Sequence, residues 1–108
     1  RLEIHTSGKR HFVRHKDIVH LEAEGSYTTL HLGTGKRITM SKNLKKVEEM
    51  LDNEMFFRTH NSHLVQLDRI VACNYRENCV TLDNGSEVPM AVRKREALKR
   101  KLSLLMPA

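Results

Sequence analysis

Two histidines three residues apart form the first pattern in this sequence that could support chemistry. His60 and His63 lie in the polar segment 58–63, which separates an aromatic pair from an apolar run. On a helix, imidazoles at this spacing share a face and can share a metal ion. A closed zinc site needs four ligands, however, and the other five histidines are scattered over the predicted strands, at positions 5, 11, 15, 20 and 31. The sequence therefore predicts no metal site.

A metal-dependent nuclease is the enzymatic alternative that His60, Asn61 and His63 leave open. Such a site needs a histidine base and a metal ion that polarises a phosphate. It would also need a metal-binding helix after a hairpin, whereas the terminal segment offers only Lys, Arg, Glu, Ala, Ser and Leu. The sequence contains no glycine-rich phosphate loop, no nucleophile elbow and no carboxylate pair among apolar residues. We predict no catalysis, no cofactor and no small-molecule substrate.

Composition favours an anionic macromolecular partner. The 108 residues contain 19 Lys and Arg against 13 Asp and Glu, for a net charge of +6, and such an excess is typical of proteins that bind nucleic acid. No apolar run approaches the roughly 18 residues of a membrane span, and no leader peptide opens the chain. Cys73 and Cys79 have neither zinc nor redox spacing. We therefore expect free thiols in a cytoplasmic protein that does not bind membranes.

The most positive segment runs from residue 93 to residue 101. Within it Glu96 is the single acidic residue, against six basic ones: Arg93, Lys94, Arg95, Lys99, Arg100 and Lys101. Basic residues at the start of a helix oppose its macrodipole, and a local conflict of this kind is typical of a functional site. We interpret the segment as phosphate-binding. Composition alone leaves DNA, RNA and an acidic protein open as partners, and so an RNA-binding or partner-binding β module remains an alternative.

Strands and tight turns dominate the elements that must position these residues. Extended, β-favouring segments flank turns that contain Gly8, Gly25, Gly35 and Gly85, which predicts antiparallel hairpins. The chain length is that of one domain. The sequence therefore predicts a mostly β, single-domain fold.

Two short helices interrupt this pattern. Apolar residues at a spacing of three to four predict a helix over 42–51, with Ser41 as its N-cap. A second apolar face predicts a terminal helix over 94–105 that ends near Pro107.

The order of the motifs along the chain carries a family resemblance. These motifs are I-V-H-L-E-A-E-G-S-Y at 18–27, the helix at 44–51, F-R-x-H-N-S-x-L-V at 57–65, Ile70, and V-P-x-x-x-R at 88–93. In this combination the sequence resembles the LytTR DNA-binding domain of bacterial response regulators over nearly its whole length.

The resemblance implies an elongated, mostly antiparallel β fold with small helices, which binds promoter DNA by inserting loops into major grooves. Typical members follow a phosphorylatable receiver domain in two-component systems, and bind paired direct repeats as dimers. The chain begins at Arg1 without an initiator Met. We therefore expect residues 1–108 to be one LytTR-like domain of a longer protein whose N-terminal receiver domain is missing here, and expect a homodimer on DNA.

Transferred by position, the DNA-contacting loops of the family fall on Tyr27, Asn61 and Arg93. An arginine can bond guanine O6 and N7, an asparagine can bond a base edge, and a tyrosine offers a hydroxyl and an apolar ring. We expect phosphate contacts, which set the register of the protein on DNA, from a second set: Arg58, Ser62, Lys94 and Arg95.

The sequence departs from the family pattern at three positions. Tyr27 stands where other members carry different residues, Ala91 takes a position often held by Ser, and Gln66 replaces a frequent Asn. The base-contact candidates also have explanations that need no DNA. Tyr27 would then pack on a neighbouring strand, Asn61 would only shape its turn, and Arg93 would form a surface ion pair with Glu96.

Overall fold

Ten strands and two α-helices make up the part of the chain that the structure, a computed structural model, describes, which is residues 1–105. The strands are β1 (Leu2–Thr6), β2 (Lys9–Val13), β3 (Ile18–Glu24), β4 (Tyr27–Leu32), β5 (Arg37–Met40), β6 (Phe56–His60), β7 (His63–Gln66), β8 (Ile70–Asn74), β9 (Cys79–Leu82) and β10 (Glu87–Pro89). The helices are α1 (Leu44–Glu49) and α2 (Arg95–Leu105), and three single 3-10 turns occupy His15–Asp17, Leu67–Arg69 and Val92–Lys94.

A five-stranded antiparallel sheet in the order β5-β4-β3-β7-β6 forms the centre of the molecule. A β1-β2 hairpin and a three-stranded sheet in the order β10-β9-β8 lie beside it. The molecule measures 45 × 26 × 24 Å along its principal axes. The prediction of a mostly β, elongated antiparallel fold with two short helices is confirmed.

The central sheet is covered on both faces, which explains why β3 and β7 are buried along most of their length, although both strands also carry polar residues such as His20 and Gln66. One buried cluster joins the β1-β2 hairpin and α1 to the sheet, through Leu2, Leu44 and Leu21 among others. The other joins the three-stranded sheet and α2 to the opposite face, and includes the fully buried Val80 and Leu98. Burial of these side chains stabilises the sheet on which the functional turns are mounted.

The register of the sheet brings several chain reversals to one end. Glu24 pairs with Tyr27 across the β3-β4 turn, in which Gly25 adopts a φ of 62° that favours glycine. Glu22 pairs with His63 at the start of β7, so that the β6-β7 turn lies beside the β3-β4 turn. We call this end of the five-stranded sheet the turn end.

Both predicted helices are present, with shorter or shifted bounds. Helix α1 covers Leu44–Glu49 within the predicted 42–51, and its N-cap is Asn43, whose Oδ1 accepts a hydrogen bond from Lys46 N at 2.9 Å, so the prediction of Ser41 as N-cap was wrong. The reason is tertiary, because Thr28 Oγ1 donates to the Lys42 carbonyl at 2.8 Å and holds that residue beside β4.

Helix α2 begins at Arg95, one residue later than predicted. Its predicted end near Pro107 lies outside the described residues. Within residues 1–105, no helix combines the length and the apolar character needed to cross a bilayer.

Candidate nucleic-acid interface

Three separate parts of the chain meet at the turn end. Ala23 N donates to the Ser62 carbonyl at 2.9 Å, which joins the β3-β4 and β6-β7 turns. Ala91 N donates to the Thr59 carbonyl at 2.7 Å and brings the Val92–Lys94 turn against the same end. The three predicted base-contact positions are thereby carried on adjoining turns, although they are far apart in sequence.

Arg58 braces the β6-β7 turn from inside the protein. Its Nε donates to the His60 carbonyl at 3.0 Å, one terminal nitrogen donates to the Asn61 carbonyl, and the other donates to Glu48 Oε1 at 2.7 Å. Three of its five N–H groups are therefore engaged within the protein. The arrangement fixes the turn to β6 and ties it to helix α1.

The backbone of the same turn is held on its other side by His60. Ser62 N donates to His60 Nδ1 at 3.1 Å, and this bond commits one nitrogen of the imidazole to the turn. His60 and His63 face each other across the turn, with ring centroids 5.6 Å apart. The pair is thus a cross-strand pair, not the helical pair from which the metal interpretation started.

Substitution of Glu48 by alanine is expected to lower the free energy of unfolding by about 0.5–1 kcal/mol, because Arg58 loses its carboxylate partner while solvent screens part of the interaction. The Glu48 side chain is 39% exposed, which limits the effect. Urea denaturation measures it. Glu49→Ala, an exposed residue of the same helix, is the matched control, and equal losses in the two variants would contradict the brace.

Arg93 and Asn61 meet directly. A terminal nitrogen of Arg93 donates to Asn61 Oδ1 at 2.7 Å, although 32 positions separate the two residues. The Asn61 Oδ1 atom is therefore engaged within the protein, and its amide N–H groups have no hydrogen-bond partner among the described residues. Glu96 pairs instead with Lys99 at 3.5 Å, so the alternative of an Arg93–Glu96 ion pair does not describe the structure.

Lys94 and Arg95 lie over aromatic rings. Lys94 Nζ is 5.8 Å from the centroid of Phe57, and Arg95 Cζ is 5.4 Å from the centroid of Tyr75. Such cation–π contacts favour the charged groups by about 0.5–1 kcal/mol at exposed sites, which offsets the unfavourable position of basic residues at the start of α2.

Tyr27 begins β4 and is 49% exposed. Alternate residues of a strand share a face, so Tyr27, Thr29 and His31 lie on the same face of β4. Neighbouring residues therefore cover about half of the surface of Tyr27, and the other half remains open at the turn end.

A histidine and carboxylate cluster on this face was missed by the sequence reasoning. His20 and His31 pair across β3 and β4, with their rings stacked at a centroid distance of 4.2 Å, and His31 Nε2 donates to Glu22 Oε1 at 2.8 Å. His63 follows on β7, 6.3 Å from His20 between ring centroids. The sequence contained a signal for this pair, because a hairpin whose turn consists of Gly25 and Ser26 places position 20 opposite position 31.

Burial and neighbouring charge shift the pKa values of this cluster. Burial, together with the adjacent His31, lowers the pKa of His20 to about 4. Burial also lowers the pKa of His63. For Glu22, burial acts to raise the pKa, but the hydrogen bond from His31 and the surrounding imidazoles outweigh it, and the net pKa is lowered. At neutral pH the cluster therefore combines neutral His20 and His63 with an ionised carboxylate.

Polar and basic turns gathered at one end of a rigid, elongated β fold define a nucleic-acid-binding module. Comparison with known proteins gives the family. The family model described as the LytTr DNA-binding domain matches residues 8–103, and this chain belongs to that family. Membership of this family assigns the chain to DNA-binding domains that act in transcription regulation.

Two known transcription regulators are similar to the chain in sequence. The CO-responsive transcriptional regulator RcoM of Rhodospirillum rubrum is 31% identical over 77 residues, covering 69% of this chain and 32% of the relative. The heme-containing CO-sensing transcriptional regulator RcoM 2 of Paraburkholderia xenovorans is 30% identical over 94 residues, covering 83% of this chain and 35% of the relative. The chain spans about a third of the length of these curated relatives.

A solved structure has the same fold. It is the LytTr DNA-binding domain of a putative methyl-accepting/DNA response regulator from Bacillus cereus, with a TM-score of 0.79, 22% identity, and coverage of 94% of each chain.

Proposed function

We propose that the domain reads double-stranded DNA with the turn end, inserting Tyr27, Asn61 and Arg93 into a major groove. The hydrogen bond of 2.7 Å between Arg93 and Asn61 carries this proposal, because it sets two base-reading side chains next to each other before DNA arrives. Pre-organised side chains lose less conformational entropy on binding. With Asn61 Oδ1 engaged, the pair presents mainly N–H donors, which favours acceptor-rich guanine edges.

Four neighbouring residues are proposed to contact phosphates: Arg58, Ser62, Lys94 and Arg95. Lys94 and Arg95 keep their charged groups over aromatic rings at the start of α2, where they can still donate outward. Arg58 is proposed both to brace the turn and to contact a phosphate. Three of its N–H groups hold the β6-β7 turn, and two remain for a phosphate oxygen. Phosphate contacts of this kind set the register on DNA without reading sequence.

In the cell, we propose that residues 1–108 act without catalysis as the cytoplasmic output domain of a two-component response regulator. The proposal includes an N-terminal receiver domain outside this chain, and binding as a homodimer to paired direct repeats in promoters. It rests on the family and on the roles of the relatives as transcription regulators.

Selection of bound sequences from a random duplex pool tests the function. We expect enrichment of one motif, recovered as a direct repeat spaced by about one helical turn or a multiple of it. Competition with single- and double-stranded RNA at the same salt concentration is the control, because affinities at different salt cannot be compared. Absence of an enriched motif, or equal binding to RNA, would contradict the proposal.

Lys94→Ala is expected to weaken binding to the selected and to scrambled duplexes equally, and to lower the slope of log affinity against log salt by about 1, because one phosphate contact is lost. Fluorescence anisotropy at several salt concentrations measures the slope. Lys36→Ala removes the same charge from the β4-β5 turn at the opposite end of the sheet and should leave the slope unchanged. A slope that Lys94→Ala does not alter would remove Lys94 from the interface.

A further inference from the structure

The cluster of His20, Glu22 and His31 on the central sheet takes no part in the proposed DNA contacts. Its ligand atoms, one from each residue, all lie within 4.8 Å of one another. We propose that these three side chains form a binding site for a first-row divalent transition metal, with Zn²⁺ as its simplest occupant. Two imidazole nitrogens and one carboxylate oxygen are a common ligand set for zinc sites that leave a position open to water.

Burial of an unpaired nitrogen is the independent observation behind this assignment. His20 is only 6% exposed, and its Nδ1 is buried without a hydrogen-bond partner among the described residues. An unpartnered buried polar atom is costly, and an ion bound by this nitrogen would remove that cost. A metal ion binds the neutral form of an imidazole, through a ring nitrogen that carries no proton.

The present contacts need only local changes to accommodate an ion. Zinc bonds of about 2.0–2.1 Å place the ligand atoms of a tetrahedral site about 3.4 Å apart. His31 Nε2 and Glu22 Oε1 are already 2.8 Å apart through their hydrogen bond, so that both atoms can turn to a shared ion while the His31 proton moves to Nδ1. The His20 and His31 rings are now parallel, with an interplanar angle of 1°, and an imidazole binds an ion in the plane of its own ring, so His31 must also turn out of this stack. Rotation of Glu22 and His31 then completes the three-ligand set with His20.

The backbone around the cluster is held in place, which favours a defined geometry. His20 and His31 are directly opposite each other in the β3-β4 ladder, and His20 also pairs with Val65 of β7. Ligands on adjacent strands of a paired sheet are positioned more accurately than ligands on loops. The site therefore differs from the exposed His5–Glu3 pair, which has the same distance of 2.8 Å on a two-stranded hairpin.

Titration of the tag-free chain with ZnCl₂ after treatment with a chelator tests the proposal, with binding followed by isothermal titration calorimetry and by NMR of the imidazole nitrogens. We expect one equivalent of Zn²⁺ to bind, with the nitrogen resonances of His20 and His31 shifting together. His31→Gln and Glu22→Gln should each weaken binding by about tenfold or more, because even the loss of groups that only support a ligand has effects of about 10–100-fold.

His5→Gln is the matched control, since it removes an imidazole with a carboxylate partner at the same distance, and should leave zinc affinity unchanged. Circular dichroism establishes that each variant is folded, and Glu22→Gln preserves side-chain shape if His31→Gln perturbs the sheet. Three results would overturn the site: no saturable binding of one equivalent, binding unaffected by both cluster variants, or loss of binding in His60→Gln without loss in His31→Gln. Because none of these measurements uses DNA, their outcome is independent of the proposed DNA contacts.

Discussion

Arg93→Ala is expected to weaken binding to the selected DNA site by about 1–3 kcal/mol and to relax the preference for one base pair. Arginine is the residue best suited to a bidentate bond with guanine. Arg93 is exposed, and among the described residues its guanidinium donates only to Asn61. Alanine removes these donors and also releases Asn61, whose side chain then loses its fixed orientation. Fluorescence anisotropy with duplexes varied one base pair at a time measures both the affinity and the preference.

Arg37→Ala is the matched control for Arg93→Ala, because it removes an exposed arginine from the opposite end of the same sheet. Binding should change little in this variant. Asn61→Ala combined with Arg93→Ala should cost less than the sum of the single variants, since the two side chains act as a pair. Equal weakening on every duplex would instead assign Arg93 to a phosphate.

Acidification is expected to lower the free energy of unfolding by about 2–3 kcal/mol between about pH 7 and pH 4.5 through His20 alone. Burial lowers the pKa of His20 from 6.5 in the unfolded chain to about 4 in the folded protein, so the unfolded state binds the proton first. The stability that comes from neutral His20 is complete above about pH 6.5 and is lost as the pH falls toward 4. The charged and titratable neighbours are Glu22 on β3, His31 on β4 and His63 on β7.

Chemical denaturation at several pH values in the presence of a chelator measures this dependence, and the comparison uses the change with pH, not the absolute stability. His20→Gln should retain only the pH dependence of the other groups, including His63, whose lowered pKa acts in the same direction. His5→Gln removes an exposed histidine and should keep the wild-type profile. An unaltered profile in His20→Gln would contradict burial as the cause.

Much of the fold was readable in the sequence because its signals are local. Turn-favouring residues such as Gly25 and Gly85 lie at hairpin turns in the structure with positive φ values, and this preference belongs to glycine itself. The three-to-four residue period of Leu44 and Val47 likewise indicated α1, whose buried face they form. The N-cap of α1 was wrongly predicted at Ser41 because Ser and Asn are both suitable N-cap residues. The choice between Ser41 and Asn43 depends on the contact from Thr28 on β4.

The same distinction between local sequence signals and tertiary contacts applies to the candidate site. The sequence by itself determined the family, the β-rich architecture and the residue types at Tyr27, Asn61 and Arg93. Only the tertiary structure decided that Arg93 bonds Asn61, that Arg58 braces their turn, and that His20 and His31 stack. Residue preferences and periodicities act over a few positions, whereas these contacts depend on the register in which strands pair, and register is set by the packing of the whole core.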